Sequence, residues 1–358
     1  MAWMRFAAAW AVVGAALGGC GGEGSSLSHY LATASVGDFL KVSIDHSAKT
    51  ITYHNLTNGQ QGTVSYTVNA DGSLQINDPA GNLVTGFEVP NYSLLLEVNH
   101  AGPNQNTHCM AFAVQQATID QATMKQKSYN FMQFRTNSGG LEIGGAWFSG
   151  NNLTTTNFWP YGNMNGSGAF DTGSMDSSQW VLDPTGMFLT VDEGGGDVST
   201  IFATPSGVLA VDTPNGNILC LEQAASKNFD PANAGTYKAL VYFKENAQTN
   251  MGVETGTVHV DRGTMVISST GHLTVTNEQG TPIVDTDLLP VADQAHLVGP
   301  GKLSNNCNGL FTFRVDNGAG EFIDVFVTFV QGAMFFCSFQ PHAADSLYDY
   351  LQGIGMKQ

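Results

Sequence analysis

Short runs of alternating apolar and polar residues fill most of the chain after residue 37. One run covers residues 62–68, a turn-forming Asn-Ala-Asp-Gly sequence follows at residues 69–72, and another run covers residues 73–76. Alternation with a period of two, punctuated by Asp-Gly turns, is typical of antiparallel β-hairpins. The pattern predicts an all-β fold built from antiparallel meanders.

Helical patterns are confined to two stretches. Residues 111–126 are the only internal segment in which a helical pattern of ten or more residues fits. Near the end of the chain the spacing of apolar residues predicts a short C-terminal helix over about residues 341–352. Its apolar face would consist of Ala343, Leu347 and Leu351.

A weak internal repeat divides the chain. Similar segments begin near residues 37, 128 and 235, and similar segments end near residues 117, 224 and 342. We interpret them as three related β units over residues 37–120, 128–225 and 235–358, each with room for about six to eight strands. The repeat spacing favours three small barrels or sandwiches. A single β-propeller, with blades of about 40–45 residues, is the alternative.

The third unit holds the most apolar segment, Phe322–Phe339, FIDVFVTFVQGAMFFCSF. Two strands joined near Gln331-Gly332 would carry apolar side chains on both faces. Such strands are stable only when other parts of the protein cover both faces. We therefore expect this segment to be a core element rather than a binding site.

The chain begins with an export signal. Arg5 precedes an apolar run, Phe6–Leu17, that is too short to span a bilayer comfortably. The sequence Leu17-Gly18-Gly19-Cys20 resembles the lipobox of bacterial lipoproteins. The resemblance implies cleavage of residues 1–19, lipid attachment at Cys20, and a flexible tether over residues 20–36. The absence of Asp after Cys20 implies the outer membrane, so we expect a cell-envelope lipoprotein.

Charge excludes one class of partner. The chain carries 30 acidic and 13 basic residues, a formal net charge of −17. So acidic a surface repels phosphate backbones, and we expect no nucleic-acid partner. It equally resists direct binding to anionic lipid, which leaves the lipid anchor as the contact with the membrane.

Four cysteines follow the lipobox: Cys109, Cys220, Cys307 and Cys337. In an oxidising compartment they allow two disulfides with three possible connectivities. Cys307 and Cys337 are closest in sequence and are the favoured pair.

The sequence predicts no metal site and no cofactor. His100 and His108 flank a Gly-Pro-Asn loop, but a zinc site requires three or four converging ligands. Residues 192–197, Asp-Glu-Gly-Gly-Gly-Asp, lack the ligand spacing of a calcium-binding loop. A hairpin turn is the favoured interpretation of that segment.

Aromatic residues cluster in the second unit. The three tryptophans of the mature chain, Trp147, Trp159 and Trp180, fall in one stretch that also contains Tyr161 and many Asn, Ser and Thr residues. Flat rings offer an apolar platform to a sugar face, and nearby amides bond its hydroxyls. The region predicts a glycan- or protein-binding surface. The alternative is that these rings are core residues.

The sequence Asp171-Thr172-Gly173-Ser174 resembles the catalytic loop of pepsin-like aspartic proteases. That chemistry requires two carboxylates that share a proton. The other candidates, Asp212-Thr213-Pro214 and Asp285-Thr286-Asp287, lack the glycine of such a loop. The tetrapeptide also suits an ordinary type I turn, which is the favoured interpretation.

Together these patterns predict an exported, membrane-anchored lipoprotein with a binding or envelope-structural role. Its expected partners are the membrane, through Cys20, and a glycan or envelope protein at residues 147–180. The alternative is a secreted hydrolase, either a divergent aspartic protease that uses Asp171 or a glycosidase with paired carboxylates.

Overall fold

The computed structural model describes residues 26–358 apart from residues 82, 101–106, 136–139, 159–170, 195–196, 215, 251–252, 300–302, 304–305, 317–321, 331 and 342–347. The predicted signal peptide, Cys20, Trp159 and Tyr161 lie outside the described residues. Within them the chain is almost entirely β-structure, which confirms the predicted fold class. No helix in the described part is long and apolar enough to cross a membrane.

Eight strands form a closed antiparallel meander, barrel 1, in which β1 pairs with both β2 and β8. They are β1 (Leu27–Ala34), β2 (Phe39–Asp45), β3 (Thr50–Asn55), β4 (Gln61–Val68), β5 (Leu74–Asn77), β6 (Leu83–Val89), β7 (Ser93–His100) and β8 (Thr107–Gln115). A short helix, α1 (Gln121–Met124), follows, and Asp120 caps its N-terminus. The sequence assigned residues 27–34 to the tether. They form β1 instead, because their pairing with β2 and β8 closes the barrel.

Nine strands form barrel 2, an antiparallel meander whose first strand pairs with its last and which is split between β12 and β13. They are β9 (Ser128–Arg135), β10 (Gly140–Ser149), β11 (Asn152–Phe158), β12 (Asp171–Asp176), β13 (Val181–Leu182), β14 (Leu189–Gly194), β15 (Asp197–Ala203), β16 (Val208–Thr213) and β17 (Gly216–Glu222). A 3₁₀ turn, Ser177–Gln179, joins the two strands at the split. The hairpin predicted at residues 192–197 joins β14 to β15.

Nine more strands repeat that topology in barrel 3, which is split between β21 and β22. They are β18 (Gly235–Asn250), β19 (Val253–Ile267), β20 (His272–Asn277), β21 (Pro282–Asp287), β22 (Leu289–Pro290), β23 (Leu310–Asp316), β24 (Phe322–Val330), β25 (Ala333–Pro341) and β26 (Tyr348–Lys357). Two more 3₁₀ turns are Pro231–Asn233 and Val291–Asp293. The three units therefore form three barrel-like sheets, and the alternative of a single propeller is wrong.

Alternating side chains give the molecule two kinds of core. Each barrel encloses its own lumen of inward-facing apolar residues. The opposite faces of strands from all three barrels meet in one shared core, to which barrel 1 contributes Phe112, barrel 2 Phe134 and barrel 3 Phe335. Because a strand presents alternate residues to its two faces, strands at the centre are apolar on both. The three barrels therefore pack as one body.

The segment Phe322–Phe339 occupies the position expected for it. Val325 and Val327 of β24 face the lumen of barrel 3, and Phe326 between them enters the shared core. Phe336 and Phe335 of β25 divide in the same way. These strands are covered on both faces, as their composition predicts.

The predicted C-terminal helix is wrong over its described part. Residues 348–357 form β26, which pairs with β18 on one side and β25 on the other. The backbone N–H and C=O groups of β26 form hydrogen bonds with both neighbouring strands. This pairing outweighs the local four-residue spacing of apolar side chains, which predicted a helix. The helical pattern in residues 111–126 is reduced to the four residues of α1.

All four cysteines of the described chain are free and buried, so the predicted disulfides are not formed. Cys109 lies in the lumen of barrel 1 and Cys220 in that of barrel 2, while Cys307 and Cys337 lie in the shared core. Burial raises the pKa of the Cys220 thiol to about 12 and that of Cys307 to about 11. Thiols with such raised pKa values are poor nucleophiles and act as small apolar core groups.

Candidate functional site

One of the predicted aromatic residues, Trp147, lies on the surface in a cleft between barrels 2 and 3. It belongs to β10, where it pairs with Ser128 of β9 and Thr154 of β11. Its neighbour Ala146 faces the lumen, so the indole of Trp147 is directed outward and is 37% exposed. The cleft has a volume of about 360 Å³ and is lined by Lys125, Gln126, Lys127, Ser128, Gly145, Trp147, Phe148, Thr156, Gln223, Leu303, Asn306 and Cys307.

Gly145 leaves the surface of the cleft beside the indole free of a side chain. It is two residues before Trp147 and therefore shares its face of the strand. A Cβ atom at this position would lie 3.9 Å from Cζ3 of Trp147 and 3.7 Å from Oγ1 of Thr156. Its absence leaves room for a ligand to lie against both groups, which is a recurring use of glycine within strands.

The far wall is a loop of barrel 3 held by amide hydrogen bonds. Gln223 Nε2 donates to the carbonyl oxygen of Asn306 at 2.8 Å and to Asn130 Oδ1 at 3.2 Å. Asn130 Nδ2 in turn donates to the carbonyl oxygen of Asn308 at 2.8 Å. These contacts join barrels 2 and 3, so the packing of these two barrels positions the far wall of the cleft.

Two lysines line the cleft, and one of them is paired with a carboxylate. Lys127 donates from Nζ to Glu222 Oε2 at 2.6 Å, and the ammonium group is thereby held at the edge of the cleft. Lys125 lies on the same side, at the end of α1. The cleft thus combines an aromatic ring, amide groups and ammonium groups within one small volume. This combination suits a ligand with hydroxyl groups and a partly apolar face.

The other predicted ligand-binding residues do not join Trp147 in the described structure. Trp180 is 7% exposed and packs in the lumen of barrel 2, its ring 5.8 Å from that of Phe148. Its predicted place on a binding surface is therefore wrong, because it follows the 3₁₀ turn Ser177–Gln179 into the core. Trp159 and Tyr161 lie outside the described residues.

The tetrapeptide at Asp171 is neither a turn nor a loop. Asp171 begins strand β12, whose backbone pairs with β11 from Asn157↔Asp171 to Asn152↔Asp176. The favoured interpretation as a turn is wrong because the ladder with β11 extends the backbone through all four residues. A catalytic role for Asp171 remains a prediction from the tetrapeptide alone. In the described part of the chain, no group of three or more His, Cys, Asp or Glu side chains is placed to hold a metal ion.

Most of the cleft was not predicted from the sequence. Lys125, Gln223 and Asn306 come from three separate parts of the chain, and only the packing of barrels 2 and 3 brings them together. Gln223 does belong to one of the repeated segment ends, Leu221-Glu222-Gln223-Ala224. That repeat marked a structural boundary and gave no sign of a ligand.

No protein-family model matches the chain, and no curated protein is similar in sequence. Among solved structures, a double mutant of transferrin-binding protein B from Haemophilus parasuis Hp5 matches with a TM-score of 0.31 and 10% identity. The match covers 90% of this chain and 65% of that chain. A single mutant of that protein gives a TM-score of 0.29, with 11% identity, 89% of this chain and 66% of that chain.

A third similar structure is intact Ap-TbpB with its N and C lobes. Its TM-score is 0.28 at 11% identity, and the match covers 90% of this chain and 67% of that chain. The present chain thus spans about two thirds of the length of these structures.

Proposed function

We propose that this protein is an exported, membrane-anchored lipoprotein of the cell envelope that binds a glycan at the Trp147 cleft. The observation that supports the proposal is the exposed indole of Trp147 beside Gly145, with amide and ammonium groups from two barrels around it. A sugar ring stacks its C–H face on such an indole, and amides and ammonium groups bond its hydroxyl and acidic groups. The ammonium group of Lys125 favours a glycan that carries negative charge.

The anchor would hold the protein close to the membrane. Only six residues separate Cys20, the lipid attachment point of the lipobox Leu17-Gly18-Gly19-Cys20, from the start of β1 at Leu27. Seven peptide units span at most about 25 Å when fully extended. The end of barrel 1 that contains Leu27 therefore faces the membrane surface in this proposal.

The Trp147 cleft lies at the same end of the molecule. Gln115, which pairs with Tyr30 near the start of β1, lies beside the turn of barrel 2 at residues 204–206. That turn leads into β16, whose first residue pairs with Leu221, two residues before Gln223 in the cleft. A glycan bound there would be one attached to, or lying on, the envelope to which the protein is anchored.

Replacing Trp147 with Ala is expected to weaken glycan binding at least tenfold. Loss of the indole removes the stacking surface and leaves the fold intact, because Trp147 is outside the three lumens and the shared core. The measurement is isothermal titration calorimetry of residues 27–358 with purified acidic and neutral envelope polysaccharides. Tyr92→Ala is the matched control, since Tyr92 is an aromatic residue with 50% exposure outside the cleft.

Saturable binding of an acidic polysaccharide that is lost in Trp147→Ala and kept in Tyr92→Ala would support the proposal. Equal binding by both variants would overturn it. Failure of all polysaccharides to bind the folded wild-type protein would leave a protein partner or a structural role as the better account of this cleft.

A further inference from the structure

The lumen of barrel 3 is filled at one end and hollow at the other. Four rings fill the closed end. The ring centroid of Phe229 lies 5.8 Å from that of Phe311 and 5.7 Å from that of Phe329, and the ring centroid of Tyr237 lies 6.1 Å from that of Phe329. Phe311 and Phe329 are themselves 6.0 Å apart. This aromatic layer seals the barrel beside the turn that joins β24 to β25.

The other end is an apolar cavity of about 570 Å³. Its wall consists of inward-facing residues from strands on every side of the barrel, among them Val241, Val275, Val284, Phe313, Val315 and Leu351. The volume falls within the range of known small-molecule sites, and the mouths of β-barrels are common places for such sites. Protein interiors are otherwise close-packed, so a cavity of this size requires an explanation.

Glycines on β26 help to keep side chains out of the cavity. Gly353 pairs with Phe336 of β25, and a Cβ atom on Gly353 would lie 2.1 Å from Cζ of that ring. The Phe336 ring therefore lies flat against the strand instead of extending across the lumen. Gly355, two residues further on the same face, makes similar room for Met334 and Tyr237.

Acidic residues dominate the mouth. Asp261, Glu278 and Asp349 line it together with Arg262. The guanidinium of Arg262 is already paired, at 2.9 Å from Glu97 Oε2 of barrel 1 and 3.9 Å from Glu278 Oε1. A negatively charged head group at this mouth would meet carboxylates, whereas a cationic or uncharged polar head group would not be repelled.

We propose that barrel 3 binds a single-chain amphiphile with a cationic or uncharged head group. Its apolar chain occupies the hollow half of the lumen, and its head group lies among Asp261, Glu278 and Asp349. Binding of an apolar chain in this lumen removes apolar surface of both the chain and the wall from water, which is favourable. The closed aromatic end limits how deeply the chain enters, so chain length is selected as well as head-group charge.

The mouth faces away from the anchored end of the protein. Ser93 of β7 lies near the Leu27 end of barrel 1 and contacts Met356 at the closed end of barrel 3. Glu97, further along β7, contacts Arg262 at the mouth. The ligand therefore enters from the side opposite the tether, and the acyl chains on Cys20 are not its source.

The probe for this test is N-phenyl-1-naphthylamine, an uncharged apolar dye that fluoresces on entering a dry apolar site. We expect saturable binding to residues 27–358 and displacement by dodecyltrimethylammonium and dodecyl maltoside, each below its micelle concentration. Dodecanoate has the same chain length and a carboxylate head group, and it should displace the dye at least tenfold less effectively.

Two variants fill the lumen. Val275→Phe inserts a ring into the hollow half, and Val284→Phe does so from the paired position on the neighbouring strand. Val284 is less buried than Val275, so the second variant keeps the test available if the first fails to fold. Each should weaken dye binding at least tenfold. Val266→Phe, on the outer face of β19 at 46% exposure, is the matched control and should bind as the wild type does.

Absence of saturable binding to the folded wild-type protein would overturn the proposal, as would equal binding by the lumen variants and the control. Preferential displacement by dodecanoate would contradict the assigned head-group charge. Trp147→Ala should leave dye binding unchanged, so this site and the glycan cleft succeed or fail independently.

Discussion

Replacing Phe335 with Ala should lower the free energy of unfolding by about 3–5 kcal/mol, the range for a large aromatic residue removed from a packed core. Phe335 is 0% exposed and lies in the shared core, where its ring contacts Phe112 of barrel 1 edge-on at 4.8 Å between centroids. The substitution removes buried apolar area and an aromatic pair that joins two barrels. Urea denaturation followed by circular dichroism measures the change.

Two further substitutions make that result specific. Phe335→Leu keeps most of the side-chain volume and should cost less than half as much as the alanine variant. Val266→Ala, at an exposed position of barrel 3, should change stability by no more than about 0.5 kcal/mol. A cost below about 1 kcal/mol for Phe335→Ala would show that the barrels do not depend on this core.

The second large effect is expected at Gly37, in the turn between β1 and β2. Its φ is +88°, and a Cβ atom would lie 2.3 Å from the carbonyl oxygen of Thr213 in barrel 2. Gly37→Ala therefore adds left-handed strain of about 1–2 kcal/mol and a steric clash of about 1–3 kcal/mol at the contact of two barrels. The sum, on the order of 3 kcal/mol, is measured by the same denaturation experiment.

Gly59 provides the matched control. It also has a left-handed backbone, with φ of +77°, but a Cβ atom there would meet nothing within 4 Å. Gly59→Ala should cost only the backbone strain, about 1–2 kcal/mol. The difference between the two variants isolates the contact between barrels 1 and 2. Equal costs would mean that Gly37 is required by its turn alone.

The all-β fold could be predicted from the sequence because its signal is local and repeated. Alternation such as that in residues 62–68 determines which side chains share a face of the strand, and the same pattern recurs in successive hairpins. The double-sided apolar pattern of Phe322–Phe339 also predicted two covered strands, since no other arrangement hides both faces. These features depend only on strand geometry and burial.

Residues 348–357 show where local pattern becomes ambiguous. Tyr350, Ile354 and Met356 enter the shared core, while Leu351 faces the lumen. A strand buried on both faces loses its period of two, and its apolar residues then also fit a helical spacing. Pairing with β18 and β25 decides the outcome, and that information is distant in sequence.

The predictions from short sequence motifs were wrong because they, too, ignored pairing and packing with distant residues. Asp171-Thr172-Gly173-Ser174 has the composition of a turn, yet its backbone completes a ladder with β11. Trp180, which the sequence analysis grouped with the aromatic binding surface, packs inside barrel 2. The Trp147 cleft and the hollow lumen of barrel 3 both depend on how distant strands and barrels pack, and neither has a local signature.

The three barrels form one body around a shared core. Differential scanning calorimetry of residues 27–358 tests this arrangement most directly. We predict a single cooperative transition with a van't Hoff enthalpy equal to the calorimetric enthalpy. No barrel can unfold by itself without exposing the shared core to water. Separate transitions for individual barrels, each with its own enthalpy, would contradict the account.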